Sequence, residues 1–149
     1  MGLAALLSGA MASQLIGLPL MNQADIVEAW LAGRAEFGSE QKQAGGSFVR
    51  SAKWETPKPQ DCSIKEAAVS ITREGSVRFA ARVKSKDEDD RYCVILSLFN
   101  YQQAKVWMSP KLCTPFELQD QFATWTDNTA SFPAAEYPFI SYATREDYC

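Results

Sequence analysis

The sequence predicts a mostly β protein, an antiparallel β-barrel (or β-sandwich) of about seven strands with one N-terminal amphipathic helix. Apolar and polar residues alternate with period two through residues 69–72, 77–83 and 92–98, the pattern of strands with one buried face. A turn containing Gly75 and a charged tip at residues 86–91 separate these runs, as in hairpins. We therefore predict that the three runs form an antiparallel meander, and we prefer the barrel slightly to the sandwich.

Residues 1–21 carry no charged side chain and contain an Ala-Met-Ala match at residues 10–12, which is typical of a secretory signal. The alternatives are an apolar segment packed on the domain and a membrane anchor. Gly9, Gly17 and Pro19 argue against one continuous membrane span. We therefore expect no membrane association except through this segment.

Residues 22–38 are predicted to form the helix, with Asn22 as its cap. Its apolar stripe consists of Ile26, Val27, Trp30 and Leu31. The helix either closes one side of the β structure or forms a lid or homodimer contact through Trp30. The polar, glycine-containing residues 39–47 are predicted to be a linker, and residues 48–149 the β-barrel domain.

The remaining strands follow from shorter alternating runs separated by proline-containing or polar loops. Besides the meander, we predict strands at residues 48–54, 104–109, 118–126 and 139–143. Residues 144–149 are predicted to be a tail that its terminal cysteine holds in place.

Composition narrows the function classes. The chain has 149 residues, a formal net charge of −3 and no histidine. Lysines and arginines are scattered among acidic residues, so we expect no nucleic-acid binding. Without histidine there is no usual neutral-pH general base and no Ser-His-Asp or Cys-His arrangement. An enzyme of this composition would work without a histidine base, and no motif requires a cofactor.

The four cysteines, Cys62, Cys93, Cys113 and Cys149, lie too far apart for the C-x-x-C signatures of zinc or redox sites. Their even number fits two disulfides, for which three pairings exist. We favour Cys62–Cys149, which ties the start of the β region to its end, and Cys93–Cys113, which closes a loop of about 20 residues. This predicts a secreted, periplasmic or secretory-lumen protein. Four free thiols in a cytosolic protein are the alternative.

Arg50 is the candidate polar site residue. In its strand it shares one face with Phe48 and Trp54, and an inward-facing arginine usually has a partner or a ligand. In an enzyme, Arg50 would be the catalytic residue. The rings expected to line a ligand cavity, rather than fill a solid core, are Trp54, Phe79, Tyr92, Trp107 and Trp125.

Residues 86–91 form the strongest charge run of the chain, Lys-Asp-Glu-Asp-Asp-Arg. Its acids are contiguous, and it lacks the glycine turn and distal glutamate of a calcium loop. We therefore predict a solvated hairpin tip and no metal site.

Three features of the β region carry a resemblance: Trp54 followed by Asp61-Cys62, the segment Gly-Ser-Val-Arg-Phe-Ala-Ala at residues 75–81, and the terminal Cys149. In these the chain resembles small secreted, disulfide-containing β-barrel domains of unknown function. The resemblance implies a secreted barrel and assigns no catalytic residue. In size and class alone the chain is also similar to cofactor-free fungal cyclases of the hetero-Diels–Alderase type, with which it shares no motif.

Three functions fit these observations. The first, which we favour, is binding of a hydrophobic small molecule in an aromatic-lined cavity. The second is a cofactor-independent cyclase or pericyclase of secondary metabolism, in which the cavity orients a reactive substrate and a donor stabilises developing charge. The third is a secreted inhibitor, immunity or effector protein that acts through Trp30 or the charged tip.

Overall fold

The computed structural model describes residues 30–55, 62–87 and 90–149. These residues form ten strands and a short 3-10 helix, Ala134–Phe139. The strands are β1 Trp30–Glu36, β2 Gln41–Lys42, β3 Phe48–Lys53, β4 Cys62–Thr72, β5 Ser76–Ser85, β6 Cys93–Asn100, β7 Lys105–Met108, β8 Leu112–Cys113, β9 Ala123–Ser131 and β10 Ile140–Tyr148. No helix in this part of the chain is long and apolar enough to cross a membrane.

The strands form two antiparallel sheets that share one core. Sheet one has the order β9-β5-β4-β3-β2, and sheet two has the order β1-β10-β6-β7, with β8 also paired to β6. An isolated bridge between Phe37 and Ala52 joins the two sheets near one edge. Among the described residues no continuous ladder closes the sheets into a cylinder. The predicted closed barrel is therefore wrong, and the described strands form two antiparallel sheets around one core. The sandwich that was its alternative stays a prediction.

The β4–β5 hairpin is present as the alternation predicts, with Ile71 paired to Val77 beside the turn. β6, however, lies in the other sheet, so the predicted three-stranded meander is wrong in its third strand. The charged segment before β6, of which residues 88–89 lie outside the described part, is a crossing between sheets and not a hairpin tip. Because β5 and β6 bury their inward faces in the same core, both arrangements give the same sequence pattern.

β1 and β2 lie where the sequence predicts helix and linker. Residues 1–29, with the signal-like segment and the start of the helix, lie outside the described residues. From Trp30 the chain is a strand paired with β10, and Gly33 has φ +88°, outside the right-handed helical region. Ala35 is buried in the shared core, and the predicted linker contains β2. The β domain thus begins before residues 39–47 and not after them.

The last third of the chain contains more strand than predicted. β9 continues through a bulge between Asp127 and Ala130, and β10 continues through the predicted tail, residues 144–149, as far as Tyr148. β10 is the strand between β1 and β6 in sheet two. Charged residues normally face solvent, and β10 carries them at inward positions. The sequence pattern therefore did not predict this part of the strand.

Two disulfides, Cys62–Cys149 and Cys93–Cys113, cross-link the two sheets and sheet two itself, in the pairing favoured from the sequence. Cys62 begins β4 in sheet one and Cys149 follows β10 in sheet two, so the first bond joins the sheets. Cys93 and Cys113 are opposite each other on β6 and β8, so the second lies within sheet two. The disulfides are compatible with an oxidising, extracellular compartment.

Gly75, in the β4–β5 turn, occupies a position that only glycine fits. Its φ is +95°, and a Cβ atom there would lie 2.6 Å from the carbonyl oxygen of Phe132. We expect Gly75→Ala to lower the free energy of unfolding by about 2–3 kcal/mol, because backbone strain and the overlap add. Gly46 has φ +89° with no atom within 4 Å of such a Cβ, so Gly46→Ala should cost only about 1 kcal/mol. Urea denaturation measures both, and equal losses would contradict the overlap.

Candidate functional site

A cavity of about 760 Å³ opens where the ends of several strands meet. Its walls come from the β1–β2 connection, β3, the β4–β5 and β6–β7 turns and the 3-10 helix. The lining residues are Phe37, Gly38, Ser39, Glu40, Arg50, Arg73, Tyr101, Ala134, Tyr137 and Pro138. Small-molecule sites have volumes of roughly 300–1,000 Å³ and combine apolar walls with a few polar groups. The cavity has this size and this combination.

Arg50 is the central charged group of the cavity. It extends inward from β3, as the alternation with Ala52 predicts, and only 7% of its surface is exposed. Its Nε donates to the Gly38 carbonyl at 3.1 Å, and its terminal nitrogens donate to the Tyr137 carbonyl at 3.0 Å and the Tyr101 hydroxyl at 3.2 Å. All three acceptors are uncharged. No carboxylate of the described residues forms an ion pair with this guanidinium.

The second charged feature is the pair of Glu40 and Arg73 at the rim. Arg73 Nε and Nη2 donate to the two carboxylate oxygens at 2.7 and 2.6 Å. The Arg73 guanidinium also lies over the Phe48 ring, 3.8 Å from its centroid. The hydrogen bond from Arg73 lowers the pKa of the Glu40 carboxyl, with a smaller contribution from the charge of Arg50. Glu40 is therefore ionised at neutral pH, and its carboxylate is already engaged.

Tyr137 places a buried hydroxyl at the cavity. Its oxygen has no hydrogen-bond partner among the described residues. The hydroxyl lies close enough to Glu40 to be affected by its carboxylate, although the two do not form a hydrogen bond of ordinary geometry. Burial, and then the neighbouring Glu40, raise the pKa of Tyr137 to about 12. The hydroxyl therefore keeps its proton at neutral pH, and it can donate to or accept from a ligand.

The predicted ring residues lie away from this cavity. Four of them contact one another in the core, with neighbouring ring centroids 5.7–6.4 Å apart: Trp54, Phe79, Tyr92 and Trp125. Trp107 lies apart on β7, with its ring 6.5 Å from that of Phe132. None of the five lines the cavity beside Arg50. Ligand binding by these rings stays a prediction, and their arrangement is that of packed core side chains.

The sequence pattern did not single out the two tyrosines of the cavity. Tyr101 lies in the β6–β7 turn and Tyr137 in the 3-10 helix, 51 and 87 residues from Arg50. Residues this far apart share no periodicity. The only local signal is Tyr137-Pro138, an aromatic residue followed by proline between two strands, which indicates a rigid loop rather than a site.

A second buried cluster surrounds Arg145 on β10. Arg145 and Asp147 have no exposed surface, and Arg145 Nε donates to both oxygens of Asp147, at 2.9 and 3.1 Å. The Tyr92 hydroxyl donates to the same carboxylate, and the guanidinium lies over the Trp54 ring, 5.1 Å from its centroid. Burial raises the pKa of Asp147, against the opposing effect of Arg145. Burial, followed by the Asp147 charge, raises the pKa of Tyr92 well above its ordinary value.

The polar groups that line the cavity include hydrogen-bond donors. Within residues 30–55, 62–87 and 90–149, no group of three or more acidic or cysteine side chains could hold a metal ion. The cavity offers instead a buried cation, a neutral phenol and aromatic walls, which together suit an uncharged or anionic acceptor. No protein-family model, curated protein or solved structure matches the chain.

Proposed function

We propose that the chain is a secreted protein that binds a hydrophobic small molecule in the cavity beside Arg50. One observation carries the proposal. Phe37, Tyr101 and the buried guanidinium of Arg50 line the same cavity, whose volume is that of a small-molecule site. The rings would cover the apolar body of a ligand, and the guanidinium would fix its orientation. The two disulfides support the extracellular location.

The neutral fluorescent probe N-phenyl-1-naphthylamine tests this proposal. We expect saturable binding, weakened about fivefold to tenfold by Tyr101→Ala, because the variant removes one aromatic wall worth about 1 kcal/mol. Met108 is a matched control, since it is 51% exposed, against 60% for Tyr101, and lies outside the cavity. Met108→Ala should leave the dissociation constant unchanged. Absence of saturable binding, or equal losses in both variants, would contradict the proposal.

A cofactor-independent cyclase is the second candidate, and the protonated state of Tyr137 favours it. Arg50 and the Tyr137 hydroxyl are two donors on one cavity, and both could stabilise negative charge that develops on a carbonyl oxygen. Arg50 would then be the catalytic residue. Turnover of a reactive polyene or quinone-methide-type substrate without added cofactor distinguishes this enzyme from a binding protein. The role of an inhibitor, immunity or effector protein stays a prediction.

A further inference from the structure

We infer that the ligand of this cavity is an organic carboxylate, an apolar molecule with one anionic group, and that this group binds Arg50. The inference rests on the proposed function and adds the chemical class of the ligand. It follows from the charges of the cavity, from the hydrogen bonds that Arg50 leaves open, and from a comparison with Arg145.

The charged groups of the cavity leave one positive charge uncompensated. Arg50 and Arg73 are cations, and Glu40 is the one anion among the lining residues. Both oxygens of Glu40 are hydrogen-bonded to Arg73, which is the more exposed of the two arginines. The buried guanidinium is thus the one without a hydrogen-bonded anion.

Arg145 is the second buried arginine of the described residues, and its surroundings can be compared with those of Arg50. Both arginines are largely removed from solvent, with 7% of Arg50 and 0% of Arg145 exposed. Arg145 is paired with the Asp147 carboxylate, as expected because a buried charge without a counter-ion is costly. Arg50 has neutral acceptors only, and it faces an open cavity instead of the core. An anion that enters the cavity would supply the missing partner.

The hydrogen bonds of Arg50 leave room for such an anion. A guanidinium carries five N–H donors, and Arg50 uses one on each of its three nitrogens. One N–H therefore remains on each terminal nitrogen, and a carboxylate has two oxygens that can accept them. The protonated Tyr137 hydroxyl is a further donor at the same cavity. The walls that would cover the rest of the ligand include Phe37, whose ring lies 5.7 Å from the Arg50 guanidinium carbon.

Displacement of N-phenyl-1-naphthylamine by a matched pair of competitors tests the inference. The competitors are 2-naphthoate and 2-naphthamide, which share one ring system and differ in the charge of the polar group. In the wild-type protein we expect 2-naphthoate to compete at about tenfold lower concentration, because hydrogen bonds to charged groups are stronger. In Arg50→Met, which keeps an unbranched apolar side chain, the ratio should fall below about threefold; Arg50→Lys should retain part of it.

The outcomes separate the inference from the proposed function. A wild-type ratio near one with good probe binding would overturn the carboxylate and leave the binding function standing. A probe that does not bind at all would overturn both. A tenfold ratio that persists in a folded Arg50→Met variant would overturn the assignment to Arg50. The wild-type comparison requires no variant, so it decides the ligand class even if Arg50→Met fails to fold.

Discussion

Replacing Asp147 by asparagine should lower the free energy of unfolding by about 3–5 kcal/mol, the range for removing one partner of a buried ion pair. The substitution keeps the shape of the side chain and an oxygen that can still accept from Tyr92. It leaves the fully buried Arg145 guanidinium without its anion, and Nη1 and Nη2 of this arginine already have no partner among the described residues. Urea denaturation at pH 7, followed by tryptophan fluorescence, measures the loss.

β1 provides a matched control for this pair. Arg34 and Glu36 are two residues apart on a strand, as Arg145 and Asp147 are, and their contact distance is 2.7 Å, but both side chains are more than half exposed. Glu36→Gln should therefore cost less than about 1 kcal/mol. The double variant Arg145→Met with Asp147→Leu removes both buried charges and should lose less than Asp147→Asn alone. A double variant that is less stable than the single one would contradict the explanation.

The buried faces of β4 and β5 could be predicted from the sequence because alternation is a local property. Every second residue from Val77 to Val83 is buried, and so are Tyr92, directly before β6, and Val94 within it. The same alternation does not state to which sheet a strand belongs, since both sheets bury one face in the same core. The choice between meander and crossing depends on contacts between distant residues, which alternation does not report.

β10 and β1 differ from their predictions for two further reasons. On β10 the inward positions include Arg145 and Asp147. Their ion pair lowers the cost of burying both charges, but charged residues at these positions break the apolar pattern. On β1 the apolar stripe indicated a helix, whereas the described residues pair with β10. The helix propensity of a residue is worth about a few tenths of a kcal/mol, which is small compared with the free energy gained when a whole strand pairs.

Of the candidate site, only the inward direction of Arg50 could be predicted. Arg50 and Ala52 on β3, and Trp54 directly after it, alternate with the exposed Ser51 and Lys53. The partners of its guanidinium lie in the β1–β2 connection, a turn and the 3-10 helix, and no period relates Gly38, Tyr101 or Tyr137 to β3. The sequence therefore led to five rings elsewhere in the β region, of which four pack together in the core and Trp107 lies apart on β7.

Removing the Cys62–Cys149 disulfide, as the double alanine variant, should lower the free energy of unfolding by about 4–5 kcal/mol. The bond closes a loop of 87 residues, and a cross-link limits the conformational entropy of the unfolded chain more as its loop lengthens. It is also the covalent connection from β4 in sheet one to the end of β10 in sheet two. The measurement is urea denaturation without reductant.

The Cys93–Cys113 bond is the internal comparison, because its loop is only 20 residues long. Its double alanine variant should lose about 3 kcal/mol, which is about 1.3 kcal/mol less than the loss for the longer loop. The m-value should also rise more when Cys62–Cys149 is removed, since a larger loop of the unfolded chain is then released to solvent. Equal losses in the two variants would mean that loop entropy does not decide the difference. The two stability losses would then have to be explained by contacts in the folded state, and the first to examine are those of the buried Cys62 side chain.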